Sequence, residues 1–465
     1  LSSDLDPAIM ADGRLVYAAW HRATFDDGVR GRLVVEGINT DGSDRAPLVP
    51  QLGGQFQRMP CVTAGGLLVF VEVDDSAGVG AGRLSCVSLR RPLHTYRSIT
   101  GPKDGLFSSP SPLPDGRILV SWRPADGSAS FGLYRLDPAT GHREPVFDDP
   151  RYHEIRARAV HARPWPDGRS SVVSAEDPLA KLYCMSVYLT EFKDRAWLAP
   201  GSVKTLRVIE GVPTPLTGRG GERSVQASIP QLAARRILAE VPLKQDGSFQ
   251  LTVPASAPIQ LQVLDDQGIA LRSCGWIWAR NHQAQGCIGC HEDPELTPPN
   301  RVPVALNDAP DVAIVPIERR ITVDFAEQIA PIVSSKCVPC HRAGDREAGL
   351  HLAGETDGGG GSGGSLDRLY QALLAQKRAA DPTSGLGQYV HPARARTSPL
   401  VWHISGRNTS RPWDGAAARQ IARPIPAGKC EPLTDVEKQT IIRWIDLGAR
   451  RIAEPEATPK VEAGP

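Results

Sequence analysis

The sequence has almost no net charge and no long apolar run. Its 465 residues carry 53 Lys and Arg against 52 Asp and Glu, which leaves a formal net charge of +1 at pH 7. Such a balance creates no bulk field that would attract nucleic acid or an anionic membrane surface. No apolar stretch approaches the ~20 residues that a transmembrane helix needs. The sequence therefore predicts neither a nucleic-acid partner nor a membrane span.

A leader segment is also lacking at the start. The chain begins with Leu1, and no charged and then apolar segment follows it. We therefore expect either that a secretion signal has been cleaved or that the chain is part of a longer one.

Repeated turn-and-strand phrases organise the N-terminal part. They recur about every fifty residues, at 11–17, 64–69, 114–120 and 166–169. A β-propeller blade has four short strands in roughly this length. The pattern predicts propeller blades over residues 1–195, about three and a half of them. A closed propeller ring normally needs more blades than this. Either the N-terminal blades have been lost, or later strands complete the ring.

The rest of the chain divides into a β region and a helical region. Alternating strands at 249–253 and 259–264 predict a middle domain over 196–318 that resembles a β-sandwich. Residues 319–453 are predicted to be helical, and 454–465 to be a disordered tail. The predicted fold class is mainly β with a C-terminal α domain.

Two segments mark the ends of the helical region. Asp324 to Ser335 carries an apolar stripe at helical spacing, directly before one cysteine motif. Thr434-Asp435-Val436-Glu437 is a capping box that starts the last helix. Together they predict the frame of a small class I cytochrome domain.

Two Cys-x-x-Cys-His motifs carry the chemistry. They consist of Cys287, Cys290 and His291, and of Cys337, Cys340 and His341. In c-type haem attachment the two thiols add to the vinyl groups and the histidine binds the iron. A lone Cys-x-x-Cys also occurs in redox dithiols and zinc sites, but the histidine after both pairs favours haem. The motifs predict two covalently bound haem c groups and, since attachment occurs outside the cytoplasm, a periplasmic or otherwise exported protein.

The second haem lacks a methionine ligand. The three methionines are Met10, Met59 and Met185, and none lies in the loop at 423–430 before the last helix. The sixth ligand is therefore predicted to be His391 or His403, with His403 favoured because it lies in a predicted helix beginning at Pro399. Ligation by two histidines would saturate the iron and make this haem an electron relay. The alternative is that both are surface histidines.

The first motif has different surroundings. A tryptophan-rich strand predicted at 271–278 precedes it, and the acidic segment with Glu292, Asp293 and Glu295 follows. Carboxylates at this place can bind iron or act as acid or base beside it. The alternative is a solvated surface turn.

Further cysteines and arginines bear on binding. The cysteines outside the motifs are Cys61, Cys86, Cys184, Cys274 and Cys430. Their number is odd, so at least one has no disulfide partner within the chain, and we expect most of them to be buried apolar residues.

Four arginines are candidates for neutralising haem propionates, with a plain surface position as the alternative. They are Arg394, Arg396, Arg407 and Arg411.

The stretch from Arg236 to Arg301 resembles the middle domain of hydrazine synthase α subunits and of their uncharacterised bacterial relatives. It contains the run Cys-Gly-Trp-Ile-Trp at 274–278 and Gly-Cys-Ile-Gly-Cys-His-Glu-Asp at 286–293. Segments 389–392 and 407–414 are similar as well, and the order of domains agrees. The resemblance covers most of residues 180–450.

This resemblance implies a catalytic first haem, where nitric oxide and ammonia are combined. In the family a tyrosine after the motif binds the iron, and the motif histidine turns away to a zinc ion. The matching segment here has no tyrosine. Either His291 binds the iron conventionally, or a carboxylate, foremost Glu295, replaces the tyrosine. If His291 turns to a zinc ion, Cys184 and Cys274 are candidate co-ligands.

The predicted function is an exported dihaem redox protein. Its first haem is an open site for a small nitrogen compound or gas ligand, and its second relays electrons to or from a redox partner protein. Two alternatives stay open at this stage. Both haems could be six-coordinate in a pure electron-transfer cytochrome, or the open haem could sense a gas without turnover.

Overall fold

The structure is a computed structural model that describes residues 4–21, 23, 31–50, 55–74, 80–190, 198–212, 232–290, 295, 297–341, 352, 365–375, 388–422 and 431–451. Within these residues the chain forms five β-sheets before residue 313 and four α-helices after residue 329. The predicted class, mainly β with helices at the C-terminal end, is confirmed. Among the described residues, none of the helices has the length and hydrophobicity of a transmembrane span.

Three four-stranded antiparallel sheets occupy residues 4–147. Sheet 1 consists of β1 (Asp4–Ile9), β2 (Leu15–His21), β3 (Arg32–Ile38) and β4 (Ala46–Pro47). Sheet 2 consists of β5 (Gln55–Val62), β6 (Leu67–Asp74), β7 (Arg83–Ser88) and β8 (Arg97–Ser98). Sheet 3 consists of β9 (Leu106–Pro112), β10 (Ile118–Arg123), β11 (Gly132–Leu136) and β12 (Arg143–Phe147). In each sheet, sequential strands are neighbours.

Sheet 2 is buried on both faces. Phe70 and Val71 are adjacent on β6, so their side chains point to opposite faces of the sheet. Phe70 packs in a core with Val16 and Val35 of sheet 1. Val71 packs in a second core with Ile118 of sheet 3. The three sheets therefore stack face to face in chain order, as successive blades do.

The fourth repeat phrase, at 166–169, does not start another blade. Residues 148–178 contain no strand, so the expected half blade is wrong. Instead the Asp167 amide donates to the Ala11 carbonyl at 2.8 Å, and Arg169 donates to the Asp12 carbonyl at 2.8 Å. The segment therefore binds the turn of the first phrase. Its apolar side chains are not covered by a partner strand, and Trp165 is 94% exposed. The described residues form no closed ring.

Two further sheets follow. Sheet 4 has the strand order β20 (Gln285–Cys287), β13 (Leu179–Cys184), β16 (Phe249–Pro254) and β21 (Asp311–Val312). Sheet 5 has the order β15 (Arg235–Pro242), β14 (Thr205–Gly211), β17 (Pro258–Leu264) and β18 (Ala270–Ser273), and β19 (Ile277–Trp278) also pairs with β17. The predicted strands at 249–253 and 259–264 both exist, but they lie in different sheets.

Sheets 4 and 5 share one apolar core. Alternate residues of β16, such as Leu251 and Val253, pack in it with Val208 and Leu261 of sheet 5. The opposite face of sheet 5, with Ile209, belongs to a separate core that includes the C-terminal helices. Sheet 5 therefore lies between sheet 4 and the helices.

The helices are α1 (Ala330–Lys336), α2 (Ser365–Ala375), α3 (Pro399–Ser405) and α4 (Asp435–Asp446), and a π-helical turn at Phe325–Ile329 leads into α1. The predicted capping box is present, since Thr434 Oγ1 accepts from the Glu437 amide and Glu437 Oε2 accepts from the Thr434 amide. The ring of Phe325 lies 5.4 Å from that of Trp444 on α4. The segment before the second motif thus packs on the last helix.

A buried ion pair joins α4 to sheet 5. Arg207 is fully buried, and its guanidinium donates to Glu240 at 2.7 Å and to Asp446 at 3.4 Å. Asp446 also accepts from the amides of Ala270 at 3.3 Å and Ala395 at 3.0 Å. Burial raises the pKa of Asp446 above its usual range, although Arg207 opposes that shift. One carboxylate therefore connects the sheet, the last helix and the loop after His391.

Candidate functional site

The first motif lies at the end of an edge strand. Cys287 ends β20, which runs parallel to β13 and places Cys287 opposite Cys184. The Cys290 amide donates to the Leu189 carbonyl at 2.8 Å. A Cβ at Gly289 would lie 2.2 Å from that same carbonyl oxygen, so only glycine permits this approach. Residues 287–290 are thus held by backbone hydrogen bonds to residues 185–189, as a strand end followed by a bend rather than as a helical turn.

Four cysteines converge around this motif. Cys184 is buried across the strand pair from Cys287, and Cys274 packs against the same core as Cys287 and Cys290. The Cys274 sulfur accepts from the Leu261 amide at 3.0 Å. Burial raises the pKa of Cys274 to about 12, and the nearby Cys287 and Cys290 contribute to this shift. Cys274 is therefore a neutral thiol at pH 7.

The structure thus brings both candidate zinc co-ligands, Cys184 and Cys274, to the first motif. Within the described residues, however, no group of three or more His, Cys, Asp or Glu side chains is arranged to hold a metal ion. His291, Glu292 and Asp293 lie outside the described residues. Zinc binding stays a prediction.

Glu295 is anchored to sheet 2. Its Oε1 accepts from the Leu93 amide at 2.8 Å, in the turn between β7 and β8. Its Oε2 lies 3.6 Å from Nε of Arg91 and 3.7 Å from Nε2 of His94. A backbone N–H and two basic side chains therefore orient this carboxylate, as supporting groups orient metal-binding carboxylates in other proteins. Its role as an iron ligand stays a prediction.

Sequence reasoning missed the basic turn that meets Glu295. Arg91 and His94 lie about two hundred residues upstream, in a connection between two strands of a repeat. No local pattern distinguishes them from other loop residues. His94 reaches Glu295 only because the turn between β7 and β8 of sheet 2 lies next to the segment after the first motif.

The second motif forms a helical turn. It follows α1 directly, and the His341 amide donates to the Cys337 carbonyl at 3.1 Å. Residues four apart in such a turn lie on the same side, so Cys337 and His341 point in similar directions. Cys337 and Val338 pack against the core of the helical region. This geometry fits a haem held by thioether bonds at Cys337 and Cys340 and ligated by His341.

The two candidate sixth ligands differ in their settings. His391 is 5% exposed, and its Nδ1 makes a hydrogen bond of 3.0 Å with Thr397 Oγ1. His403 lies in the last turn of α3, partly exposed, with its ring 6.3 Å from that of Tyr389. The predicted helix from Pro399 is present. His391 is the more buried of the two.

Three of the arginines considered for haem propionates contact protein groups instead. Arg396 pairs with Asp414 at 2.8 Å and Arg411 with Asp265 at 3.2 Å. Arg407 donates to the side chain of Gln267 at 2.7 Å. Arg396 thus connects two segments of the helical region, whereas Arg407 and Arg411 connect that region to the turn after β17.

Comparisons with known proteins agree with this architecture. Residues 201–292 match the family described as the hydrazine synthase alpha subunit middle domain. Hydrazine synthase subunit alpha of Kuenenia stuttgartiensis is 24% identical over an alignment 556 positions long, which covers 97% of this chain and 67% of that protein. The solved structure of hydrazine synthase from the same organism is 23% identical, with a TM-score of 0.75 over 98% of this chain and 70% of that chain. The chain is therefore similar to hydrazine synthase α subunits, and it shares the fold of the solved structure over nearly all of its length.

Proposed function

We propose that this chain binds two haem c groups and that the first is an open reaction centre for a small nitrogen compound. The observation that carries the proposal is the contrast between the motifs. Cys337 to His341 form a helical turn typical of a cytochrome, whereas Cys287 ends an edge strand. Haem at either place supplies a redox-active iron. The different backbones give the two irons different sets of ligands.

Glu295 is the protein group proposed to complete the first site. The Leu93 amide holds one carboxylate oxygen, which leaves the other to face the basic side chains of Arg91 and His94. A carboxylate held in this way can bind the iron or hold a proton beside it. The resemblance to hydrazine synthase α subunits supports a small nitrogen compound as substrate.

The second haem is proposed to relay electrons. His341 and one further histidine would saturate its iron, so that it exchanges electrons without binding substrate. The matched relative is named as a subunit, which supports a protein partner for electron delivery. Covalent haem attachment supports an exported, periplasmic location.

Turnover of a small nitrogen compound tests the function. Reduced, haem-loaded protein is expected to consume nitric oxide or hydroxylamine, and Glu295→Ala to lower that rate roughly tenfold or more. Glu318→Ala, at an exposed glutamate, is the matched control and should leave the rate unchanged. Binding of nitric oxide without consumption would instead identify a gas sensor. No reaction with either compound would contradict the proposal.

Orientation favours His391 as the sixth ligand of the second haem. Ligand histidines usually have the second ring nitrogen fixed by a hydrogen bond, as Thr397 does here for Nδ1. We therefore expect His391→Ala to convert the low-spin ferric signal of this haem to high spin. His403→Ala should leave it low-spin. Electron paramagnetic resonance distinguishes the variants, and the reverse pattern would assign the ligand to His403.

A further inference from the structure

A buried guanidinium that forms no ion pair with any described residue lies where sheet 5 meets Ala23, just after β2. Arg235 starts β15 and is 2% exposed. Its Nη2 donates to the Ala23 carbonyl, and its guanidinium lies 5.4 Å from the centre of the Trp276 ring. Within the described residues its Nε and Nη1 have no hydrogen-bond partner, and no carboxylate forms an ion pair with it.

The electrostatic surroundings do not compensate this charge. Burial lowers the pKa of Arg235 to about 9, with a smaller contribution in the same direction from the partly exposed Arg450. Asp446 acts in the opposite direction, but its carboxylate is already bonded to Arg207 and two amides. An isolated buried cation costs several kcal/mol. No described carboxylate therefore neutralises Arg235, and its charge favours an anion beside it.

Two further buried polar groups surround the same point. Gln260 is fully buried, and its Nε2 donates to the Cys274 carbonyl at 2.8 Å and to the Ala23 carbonyl at 3.5 Å. Because both acceptors are carbonyl oxygens, the amide cannot be turned around. Its Oε1, like Nε1 of Trp276, has no hydrogen-bond partner within the described residues. Each such group costs about 1–3 kcal/mol if left unsatisfied.

We propose that Arg235 and Trp276 bind a small anionic group, a carboxylate or an oxyanion of similar size, at this place. Its oxygens accept from the orphaned N–H groups of both side chains, and an accompanying water donates to Gln260 Oε1. Two sources offer this chemistry. One is a propionate of an attached haem, which rests on the proposed function, and the other is a free anion from solution.

The experiment compares haem-loaded wild type with Arg235→Met, which keeps much of the side-chain volume and removes the charge. Arg236→Met is the matched control, because its neighbour Glu210 keeps Arg320 as a partner. Trp276→Phe removes the N–H donor, keeps an aromatic ring, and serves as a second variant if Arg235→Met fails to fold. Sodium formate is the probe for a free anion.

The two sources give different results. If a free anion binds, formate raises the unfolding midpoint of wild type, and Arg235→Met or Trp276→Phe raises its half-saturating concentration at least tenfold. If a propionate binds, formate has no effect. Arg235→Met then lowers the midpoint potential of one haem only, because loss of the positive charge favours the oxidised form. At a fixed solution potential, the ratio of reduced to oxidised haem should fall at least threefold. Arg236→Met changes neither quantity.

The proposal is overturned if the variants at Arg235 and Trp276 match wild type in both measurements. A protein that contains no haem but still responds to formate through Arg235 would contradict the proposed function and leave the anion site standing. An equal potential shift in Arg236→Met would mean that any nearby positive charge has this effect, and it would overturn the assignment of the propionate to Arg235.

Discussion

A variant with serine at both Cys337 and Cys340 is expected to contain one haem per chain instead of two. Serine cannot form the thioether bonds that hold haem c. The two motifs lie in separate structural units, one at the end of β20 and one after α1. Loss of attachment at one should therefore leave the other intact. The pyridine haemochrome spectrum, normalised to protein, measures the haem content.

The reciprocal variant, with serine at Cys287 and Cys290, should also retain one haem, and its spectrum should be that of the low-spin relay alone. Cys86→Ser is the control, because this buried cysteine lies on β7, outside both motifs. A haem content that does not change in either double variant would exclude covalent attachment at these cysteines.

Asp446→Ala is expected to lower the free energy of unfolding by about 3–5 kcal/mol. The substitution takes one carboxylate from the fully buried Arg207 and leaves the amides of Ala270 and Ala395 without their acceptor. Removing one partner of a buried pair is costly because the remaining charge stays in an apolar surrounding. Urea unfolding, followed by far-ultraviolet circular dichroism, measures the change.

Asp435→Ala on the same helix is the matched control for this substitution. Its side chain is 98% exposed and pairs only with Lys438 among the described residues, so little change is expected. If Asp446→Ala unfolds at the same urea concentration as wild type, the buried network does not hold the last helix to sheet 5.

Local patterns predicted many elements of this fold. The turn phrases at 11–17, 64–69 and 114–120 precede or begin β2, β6 and β10, because such turns need only neighbouring residues. The capping box at Thr434 is likewise a local hydrogen-bond pattern and is present. The strand predicted after the turn at 166–169 is not formed, and residues 148–178 contain no strand at all. A turn needs only neighbouring residues, whereas a strand also needs a partner strand to pair with.

Contacts between distant segments could not be predicted. The strands at 249–253 and 259–264 have similar alternation, yet one pairs with β13 and the other with β14. Nothing in the residues around Glu295 indicates that its carboxylate meets the turn at Arg91. The motifs themselves were visible because their chemistry needs a fixed spacing. Their different backbone settings depend on tertiary pairing and became visible only in the structure.

The most direct test of the central claim is electron paramagnetic resonance of the oxidised protein at low temperature. We predict one high-spin ferric signal from an open first haem and one low-spin signal from the second. In Glu295→Ala only the high-spin signal should change. Two low-spin signals that are both insensitive to this substitution would mean two saturated irons, and the chain would then be an electron carrier.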